Sequence, residues 1–403
     1  MGDFSAIRPG TDLPSYAREL LRMHDAVIGG GRSVLAPRPL VARSWTRVLR
    51  AGLDPDARNP RDPLPMEQVL ARRRASPISL VVDELRQIIS SVADASQFLM
   101  VVTDADGIIL WREGAARVRG RADGLGFEEG AEWTEDLVGT NAIGTALAEA
   151  SPVQLFSAEH FEADQHPWYC TAAPLHDPRT GALLGIVDVS GPAMTLHPAV
   201  VALVETAVRL AESQLWRHHE LRLERLRQAA APLLASVEGP MLLVDDHGWV
   251  AHTSGVAAQA RIAVPRPERP LTVPGLGLCL PEPVADGWLV RPTGRETRIA
   301  MTLDLTDGPA VTVAGERPWR SALTARHAEI VRLLHAAGRA GLTASALSRA
   351  MYGDAEHVVA VRAEVSRLRR ILGGVVESQP YRISPSVDLT VTDLSAPRPA
   401  LAD

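Results

Sequence analysis

The stretch EDLVGTNAIGTAL, residues 135–147, decides how the first half of the chain is interpreted. Its letters G-x-x-x-x-G-T differ from the phosphate-binding loop G-x-x-x-x-G-K-[ST] by the missing lysine, and the chain contains no lysine. The lead-in is acidic and helix-like, although a phosphate-binding loop follows a strand. We therefore expect Gly139 to allow a tight turn and Asn141 or Thr140 to cap a helix. Gly144 would let that helix pack closely on a sheet.

The length and composition predict several domains and no membrane segment. A chain of 403 residues with 46% apolar side chains is long enough to bury two or three cores. Acids and prolines lie near the amino terminus, where a signal peptide needs a basic start, and no run of ~18 apolar residues follows. The two cysteines, Cys170 and Cys279, lie in no C-x-x-C pair and build no disulfide framework. We expect a soluble protein of the reducing cytoplasm.

The net charge of −6 hides an asymmetry along the chain. Residues 320–384 contain ten arginines and five acids, a local charge of +5 that leaves −11 for the rest. A basic module on an acidic body predicts one end that faces a polyanion, and double-stranded DNA is the expected partner.

Hydrophobic periodicity and turn residues divide the chain into parts. Two short apolar runs around Asp106 and Gly107 predict a β-hairpin, and helical spacing returns after Pro198. The predicted parts, in chain order, are a helical segment (residues 1–76), a domain of sheet and helices (77–216), a connecting helix (198–237), a β-rich module (238–297) and a basic helical domain with flanking hairpins (298–390). The predicted fold class is therefore α+β with several domains.

The connecting helix would be about 40 residues long, too long for one ordinary packed helix. Val200, Val204 and Val208 line one face, and Leu226 and Ala230 continue a similar stripe. This pattern indicates either a kinked connector or a helix that pairs with its copy, and we expect a homodimer.

The basic region contains three predicted helices in close succession. The third, residues 357–372, has one apolar and one basic face. At about 100° per residue, the apolar wedge holds Val358, Val361, Val365, Leu368 and Leu372. The opposite face and its shoulders hold Val359, Arg362, Ala363, Ser366, Arg367, Arg369 and Arg370. Arginines suit guanine edges and phosphates, and small methyl groups suit thymine. A solvated arginine-rich surface would give the same letters, but the preceding two-helix unit, the local charge and the segment SQPYRI favour a DNA reader.

This end of the chain resembles a known family. The runs LTARHAEIVRLL and VRAEVSRLRRIL, the closing YRI and a preceding strand hairpin are similar to the winged-helix effector domain of OmpR/PhoB-type response regulators, over residues 298–383. The resemblance implies a third helix in the major groove and a β-wing at the adjacent minor groove, with Arg382 as the wing contact. Pro380 stands where the family has a glycine before the wing tyrosine. The candidate DNA-binding residues are Arg362, Ala363, Ser366, Arg367, Arg369, Arg370, Tyr381 and Arg382.

Two runs in the first half, DLVGTNAIGTALAEASPVQLFSAEHF and HPWYCTAAPLHDPRTGALLGIVDVSG, resemble the GAF domain of acetoin-regulator-type transcriptional activators. The upstream run VARSWTRVLRAGLDPDA is similar to the helical segment before this domain in the same proteins. The resemblance implies an antiparallel sheet, covered by helices, that encloses a small-molecule pocket. The family usually continues into an ATPase that remodels sigma-54 polymerase. This chain has no G-x-x-x-x-G-K-[ST] motif, so we expect no ATP-driven activation.

The pocket implied by this resemblance has aromatic walls and a few polar groups, which suits a small organic effector and requires no cofactor. The candidate ligand-binding residues are Trp133, Asn141, Phe156, His160, Phe161, His166, Trp168 and Cys170. For Trp133, Phe156 and Trp168 a purely core-filling role stays open.

Two other chemistries compete for this segment. His160, His166 and Cys170 could supply three metal ligands, but the spacing H-x5-H-x3-C matches no closed zinc site, and a redox role for Cys170 is an equal alternative. The carboxylates that could serve acid–base chemistry beside the histidines are Glu159, Glu162 and Asp164. No set of nucleophile, base and orienting group accompanies them, so we expect neither an enzyme nor a bound metal.

The sequence thus predicts a cytoplasmic, bacterial one-component transcriptional regulator with a GAF sensor, a middle module and a winged helix. The middle module resembles a PAS domain in its opening MLLVDDHGWVAH. The expected partners are DNA, a small organic effector and a second copy of the chain; RNA polymerase is a further candidate, and no membrane is involved. The alternative is a signalling adaptor whose GAF and PAS-like modules bind a partner protein, with only weak DNA anchoring.

Overall fold

The structure is a computed structural model, and it describes residues 4–56, 62–92, 97–267, 269–292, 299–306, 308–313 and 319–393. The chain divides into two compact units, residues 1–219 and 220–403. Within the described ranges, no helix combines the length and the apolar character needed to cross a bilayer.

The first unit is built on a five-stranded antiparallel sheet with the strand order β2-β1-β5-β4-β3. The strands are β1 (Leu99–Thr103), β2 (Ile109–Gly114), β3 (Val153–Phe156), β4 (Trp168–His176) and β5 (Leu183–Pro192). The helices are α1 (Leu13–Ile28), α2 (Pro39–Ala51), α3 (Met66–Ala75), α4 (Val82–Val92), α5 (Ala116–Asp123), α6 (Glu135–Val138) and α7 (Ala142–Glu149), followed by α8 (Ala199–Ser236).

Both faces of this sheet are covered by helices. On one face, Leu85 of α4 and Val204 of α8 share a core with Val187 of β5. On the other face, Leu20 of α1 and Trp45 of α2 share a core with the sheet and α7. The two amino-terminal helices therefore bury their apolar stripes against this five-stranded sheet, as expected for amphipathic helices.

The hairpin predicted around Asp106 and Gly107 is confirmed by β1 and β2. The Asp104 carboxylate accepts hydrogen bonds from the backbone N–H groups of Asp106 and Ile108, both at 3.0 Å. Gly107 has a φ of 82°, which glycine adopts without strain.

The stretch EDLVGTNAIGTAL forms α6, a turn and α7. Gly139 has φ 78° and ψ −166°, a conformation open almost only to glycine. Asn141 is the helix cap, because its side chain accepts a hydrogen bond from the Gly144 N–H at 2.9 Å. Gly144 was expected to let α7 pack closely on the sheet, but the element that it lies against is the start of α6. A Cβ here would lie 2.6 Å from the Glu135 nitrogen, so this glycine lets α7 approach the start of α6.

The described part of the second unit contains a second five-stranded sheet, β7-β6-β10-β9-β8, and a four-stranded sheet, β13-β12-β11-β16. The strands of the five-stranded sheet are β6 (Met241–Val244), β7 (Val250–Ser254), β8 (Leu271–Val273), β9 (Gly277–Val284) and β10 (Gly287–Pro292). The four-stranded sheet comprises β11 (Ile299–Asp304), β12 (Ala310–Val313), β13 (Trp319–Ala322) and β16 (Val387–Thr392), with β11 and β16 parallel.

Three helices and a small hairpin lie between β13 and β16. They are α9 (Ala325–Ala337), α10 (Ala344–Tyr352), α11 (Val358–Leu372), β14 (Val376–Glu377) and β15 (Arg382–Ile383). The apolar face predicted for α11 is buried at Val361, Val365, Leu368 and Leu372, whereas Val358, at the first turn, is only half-buried. Thr324 and Thr343 cap α9 and α10 with their hydroxyl groups.

The connecting helix α8 is one continuous helix of 38 residues, with Pro232 inside its last turns. Val204, Ala207, Val208, Ala211 and Leu215 are buried in the first unit, and Leu226 and Ala230 in the second. Leu210 and Leu221 remain exposed by 47% and 53%.

Candidate functional site

The acidic lead-in of the 135–147 stretch holds α2 in place. The Glu135 carboxylate accepts hydrogen bonds from the Ser44 hydroxyl and from Arg47 Nε, both at 2.6 Å. Arg47 also donates to Glu149 at 2.8 Å, and its hydrogen bonds to Glu135 raise the Arg47 pKa above its ordinary value. Glu135, inside the stretch, and Glu149, two residues after its end, therefore tie α6 and α7 to α2.

A small cavity lies between the sheet and the segment around α5. Its volume is about 20 Å³, room for about one water molecule. The residues that line it are Ala122, Leu125, Phe127, Trp133, Gln165, Trp168, Cys170 and Ser190. The walls are therefore mostly apolar and aromatic, with a few polar groups, which is the usual composition of a small-molecule site.

Two of the lining residues, Cys170 and Ser190, form a polar row with Asp188, which is not itself among the lining residues. Cys170 of β4 lies opposite Ser190 of β5 in the strand register, and Cys170 Sγ lies 3.0 Å from Ser190 Oγ. The Ser190 hydroxyl donates to Asp188 Oδ2 at 2.5 Å. Because Asp188 and Ser190 are two residues apart in one strand, they share a sheet face.

Burial changes the acidity of both titratable groups in this row. It raises the pKa of Asp188 to about 7, and the Ser190 hydrogen bond opposes this shift. Burial, followed by the Asp188 charge, raises the pKa of Cys170 well above its ordinary value. Cys170 is therefore a neutral thiol at physiological pH, which disfavours the redox alternative because the thiolate is the reactive form.

The structure brings three of the eight predicted ligand residues to this cavity: Trp133, Trp168 and Cys170. The Asn141 side chain caps α7, and Gly139 leaves room for the Phe161 ring. Phe156 stacks on Tyr16 of α1, with ring centroids 5.8 Å apart. These three side chains hold the fold around the cavity, and the remaining two, His160 and His166, lie in a separate cluster.

The separate cluster consists of the buried His24 and His160 and the half-buried His166. The His24 and His166 rings lie 4.8 Å apart, and one ring nitrogen of His160 is 2.9 Å from the Ser157 carbonyl. Burial lowers the pKa of His160 to about 4, and burial with the nearby charges of His24 and His160 lowers that of His166 to about 3. Both rings are neutral at physiological pH. In the part of the chain that the structure describes, no group of three or more His, Cys, Asp or Glu side chains is placed to hold a metal ion.

Sequence reasoning missed Asp188 and Ser190, although a signal for them exists. The run GIVDVSG places both polar residues at alternate positions of a strand that is otherwise buried and apolar. Alternate positions point to one sheet face, so this face of the strand is polar inside a core. A buried polar residue is more informative than an exposed apolar one.

A second candidate site lies on α11. A groove of about 940 Å³ runs between α11, the start of α10 and the turn that joins β14 to β15. Arg362, Ser366, Arg369 and Tyr381 are among its lining residues. The backbone groups of Leu342 and Tyr381 bond to each other at 2.7 and 2.9 Å, which fixes the hairpin beside α10.

The other predicted DNA-binding residues lie around this groove. Ala363, Arg367 and Arg370 are exposed on α11. Arg367 pairs with Glu364 at 2.8 Å, and Arg382 of β15 pairs with Glu377 at 2.7 Å. We call the surface formed by α11, the start of α10 and the β14–β15 hairpin the arginine groove.

The first unit matches a family of regulators. A family model described as the MimR N-terminal domain matches residues 41–213. The acetoin dehydrogenase operon transcriptional activator AcoR of Bacillus subtilis is 31% identical over 210 residues, 51% of this chain and 34% of AcoR. The propane 2-monooxygenase operon transcriptional activator MimR of Mycolicibacterium goodii is 29% identical over 187 residues, 45% of this chain and 30% of MimR. The first unit is therefore a regulator sensor domain of the AcoR kind, and the protein is a regulator rather than an enzyme.

A further relative matches almost the whole chain. The uncharacterized 47.3 kDa protein in the thcA 5′ region of Rhodococcus erythropolis is 31% identical over 399 residues, 97% of this chain and 75% of that protein. The chain belongs to the same family as this Rhodococcus protein. By contrast, it spans only about a third of the length of AcoR and MimR.

Proposed function

We propose that the chain is a cytoplasmic one-component transcriptional regulator, in which a GAF sensor binds a small organic effector and a winged helix binds DNA. The observation that carries the proposal is the arginine groove, because a regulator needs an output surface and this surface has the composition of a DNA reader. Its helix α11 exposes Arg362, Ser366 and Arg369 beside the stripe of buried valines and leucines.

The dimensions of α11 suit a major groove. The helix has 15 residues and is therefore roughly 22 Å long, and the major groove of B-DNA admits one α-helix. Arginine makes bidentate hydrogen bonds to guanine and pairs with phosphate, and the Ser366 hydroxyl bonds to either. The hairpin with Tyr381 would lie at the neighbouring minor groove, as in the winged-helix domains that the sequence resembles.

Dimerisation through α8 is the second part of the proposal. Leu203, Leu210 and Leu221 fall within a narrow wedge of the helix, since they are separated by seven and eleven residues. Leu210 and Leu221 are exposed in the single chain, and exposed leucines in one stripe are typical of a helix that pairs with a copy. Two copies would place two arginine grooves on half-sites of a palindromic operator.

The apolar and aromatic composition of the sensor cavity supports a small organic effector. AcoR and MimR are named for operons that encode acetoin dehydrogenase and propane 2-monooxygenase, enzymes named for small organic molecules. An effector of similar size would enter between the aromatic walls only after the cavity, which has room for about one water molecule, expands.

DNA binding by full-length protein tests the proposed function. Wild-type protein is used to select double-stranded fragments from a random-sequence pool, and affinity for the selected site is measured at ~150 mM salt. We expect Arg362→Ala and Arg369→Ala each to weaken binding by about tenfold, since a good arginine contact is worth about 1–3 kcal/mol. The matched control is Arg332→Ala on α9, where the arginine is exposed and pairs with Glu329.

The control variant should bind as the wild type does. If no sequence is selected, or if the groove variants bind as tightly as Arg332→Ala, the DNA-reader proposal is wrong. The adaptor alternative, with its weak DNA anchor, would then account better for the two units.

A further inference from the structure

Val359, the second residue of α11, is an apolar side chain that the single chain leaves largely uncovered. The residue is 79% exposed, whereas valine is among the residue types most often buried in proteins. Valine is also a poorer helix former than alanine at an exposed position, because its branched side chain loses rotamer freedom. Neither packing within the chain nor helix propensity therefore accounts for a valine here.

Helical geometry places Val359 on the same face as residues of the arginine groove. At about 100° per residue, Ser366 lies within roughly 20° of Val359 around the helix axis, and Arg362 lies roughly 60° away. Both of these residues line the groove. The buried Leu368 lies about 180° from Val359, on the opposite side of the helix. Val359 therefore points away from the core, on the side of α11 that the proposed function turns toward DNA.

The exposed face of α11 is apolar along its middle in the first two turns. Ala363 follows Val359 by four residues, so the two are neighbours on the helix surface, and both are exposed. Arginines flank this pair, with Arg362 on one side and Arg367 on the other. Arg367 also pairs with Glu364 at 2.8 Å. The two methyl-bearing side chains thus form a small apolar patch between arginines.

The start of α11 is held against α10. The His357 ring, just before the helix, stacks on the Tyr352 ring with centroids 4.7 Å apart, and its Nδ1 lies 2.8 Å from the Asp354 carboxylate. The His357 backbone N–H donates to the Ser348 hydroxyl at 3.2 Å. Because Tyr352 and Ser348 belong to α10, the first turn of α11 presents Val359 from a fixed position.

The chemistry of the major groove leaves one base that complements a valine. Base pairs present hydrogen-bond donors, acceptors and one apolar group there, the 5-methyl group of thymine. A valine side chain neither donates nor accepts a hydrogen bond. Packed against the amino group of cytosine it would leave a donor without a partner, which is costly, whereas packed against thymine it buries a second methyl group.

We propose that Val359 is a specificity-determining residue that packs on the 5-methyl group of a thymine in the major groove. The inference rests on the proposed function, since it names a base that the same DNA-binding surface selects. The first residues of a recognition helix are those that contact base edges in helix-turn-helix proteins, and Val359 occupies that position in α11.

Removal of single methyl groups from the DNA tests the proposal with full-length protein. Each thymine of the site selected from the random-sequence pool is replaced in turn by deoxyuridine, which lacks only the 5-methyl group, and affinity is measured at ~150 mM salt. We expect one replacement to weaken binding of wild type about fourfold, because burial of one methyl group is worth about 0.8 kcal/mol. Val359→Ala should weaken binding to the unmodified site by a similar factor. The same replacement should then cost this variant almost nothing.

The matched control is Val34→Ala, which shortens an exposed valine of the first unit and should respond to every replacement as wild type does. Thymine methyl groups also affect the shape of DNA, but a loss that arises from shape would persist in Val359→Ala. No sensitive thymine in wild type, or equal sensitivity in wild type and Val359→Ala, overturns the inference. A failed selection overturns it together with the proposed function. A selected site that depends on Arg362 and Arg369 but on no thymine methyl group refutes this inference alone.

Discussion

At the scale of single residues, the sequence predicted three residues that line the cavity of the first unit and missed Ser190 and Asp188. Trp133, Trp168 and Cys170 were predicted and line the cavity. Asp188 was missed because one acid within a buried apolar run is a weak local signal, and its hydrogen bond with Ser190 becomes visible only in the structure. Phe156 and Asn141 were assigned to the ligand, but tertiary packing uses them as a stacking partner and a helix cap.

Asp188 should make stability depend on pH. Its pKa of about 7 lies above the ordinary value of 3.8, so the folded state holds a proton that the unfolded state loses between these values. The free energy of unfolding therefore falls as pH rises from about 4 to 7, at most by roughly 1.4 kcal/mol per pKa unit. Cys170 and Tyr169, the neighbouring titratable groups, have raised pKa values and stay neutral in this range.

Asp188→Asn isolates this effect in urea unfolding at pH 5, 6, 7 and 8. The variant should gain stability relative to wild type as pH rises, and the difference should level off above pH 8. A difference that stays constant from pH 5 to 8 would contradict the assigned protonation of Asp188.

Gly139→Ala tests the turn in the 135–147 stretch. The new methyl group would lie 2.6 Å from the Phe161 ring, at φ 78° and ψ −166°. We expect a loss of roughly 2–4 kcal/mol in the free energy of unfolding, from backbone strain and overpacking together. Gly181→Ala is the control, because Gly181 has φ 74° with open space around it and should cost only about 1 kcal/mol. Equal losses in the two variants would show that the contact with Phe161 is unimportant.

At the scale of elements, local sequence patterns predicted individual helices and hairpins, but they did not predict which distant elements pair. The β1–β2 hairpin and helix α11 follow from turn residues and periodicity within about 15 residues. The parallel pair β11 and β16 joins strands more than eighty residues apart, and no local signal encodes that partnership. The attachment of α2 to α6 is another long-range contact, visible only once Glu135 and Arg47 are seen together.

Arg47→Ala should loosen α2. It leaves the Glu135 carboxylate, which is 6% exposed, without its charged partner, whereas Arg43 pairs with Glu149 at a more exposed position. Hydrogen–deuterium exchange of α2 should accelerate by roughly tenfold or more in Arg47→Ala, because an uncompensated buried charge is costly. Arg43→Ala should change it little, as expected of exposed ion pairs. Similar exchange in the two variants would contradict the anchoring role of Glu135.

At the scale of the whole molecule, charge distribution predicted the division of labour that the proposed function uses. The +5 segment, residues 320–384, carries the arginine groove, and the acidic remainder carries the sensor. The two-unit division at residues 219 and 220 falls inside α8, so one helix belongs to both units. The periodicity of the sequence predicted this helix but left open whether it is kinked, because the sequence does not reveal whether Pro232 interrupts the helix.

Dimerisation through α8 predicts that Leu210→Glu with Leu221→Glu yields a monomer at micromolar concentration, measured by light scattering. Charged residues in an apolar helix pair lose burial and repel each other. Leu80→Glu is the control for Leu221→Glu, since both leucines are 53% exposed. A monomeric wild type, or a double variant that remains dimeric, would contradict the helix pairing.

The most direct test of the account is the salt dependence of DNA binding by full-length protein. Affinity for the selected site is measured between 50 and 200 mM salt, about the range in which counterion release dominates. The account predicts a steep loss of affinity with salt in wild type and in Arg332→Ala. In the Arg362→Ala/Arg369→Ala double variant, the logarithmic slope should fall by about one for each arginine that contacts a phosphate. The same slope in the double variant and in Arg332→Ala would contradict the claim that the arginine groove is the DNA-binding surface.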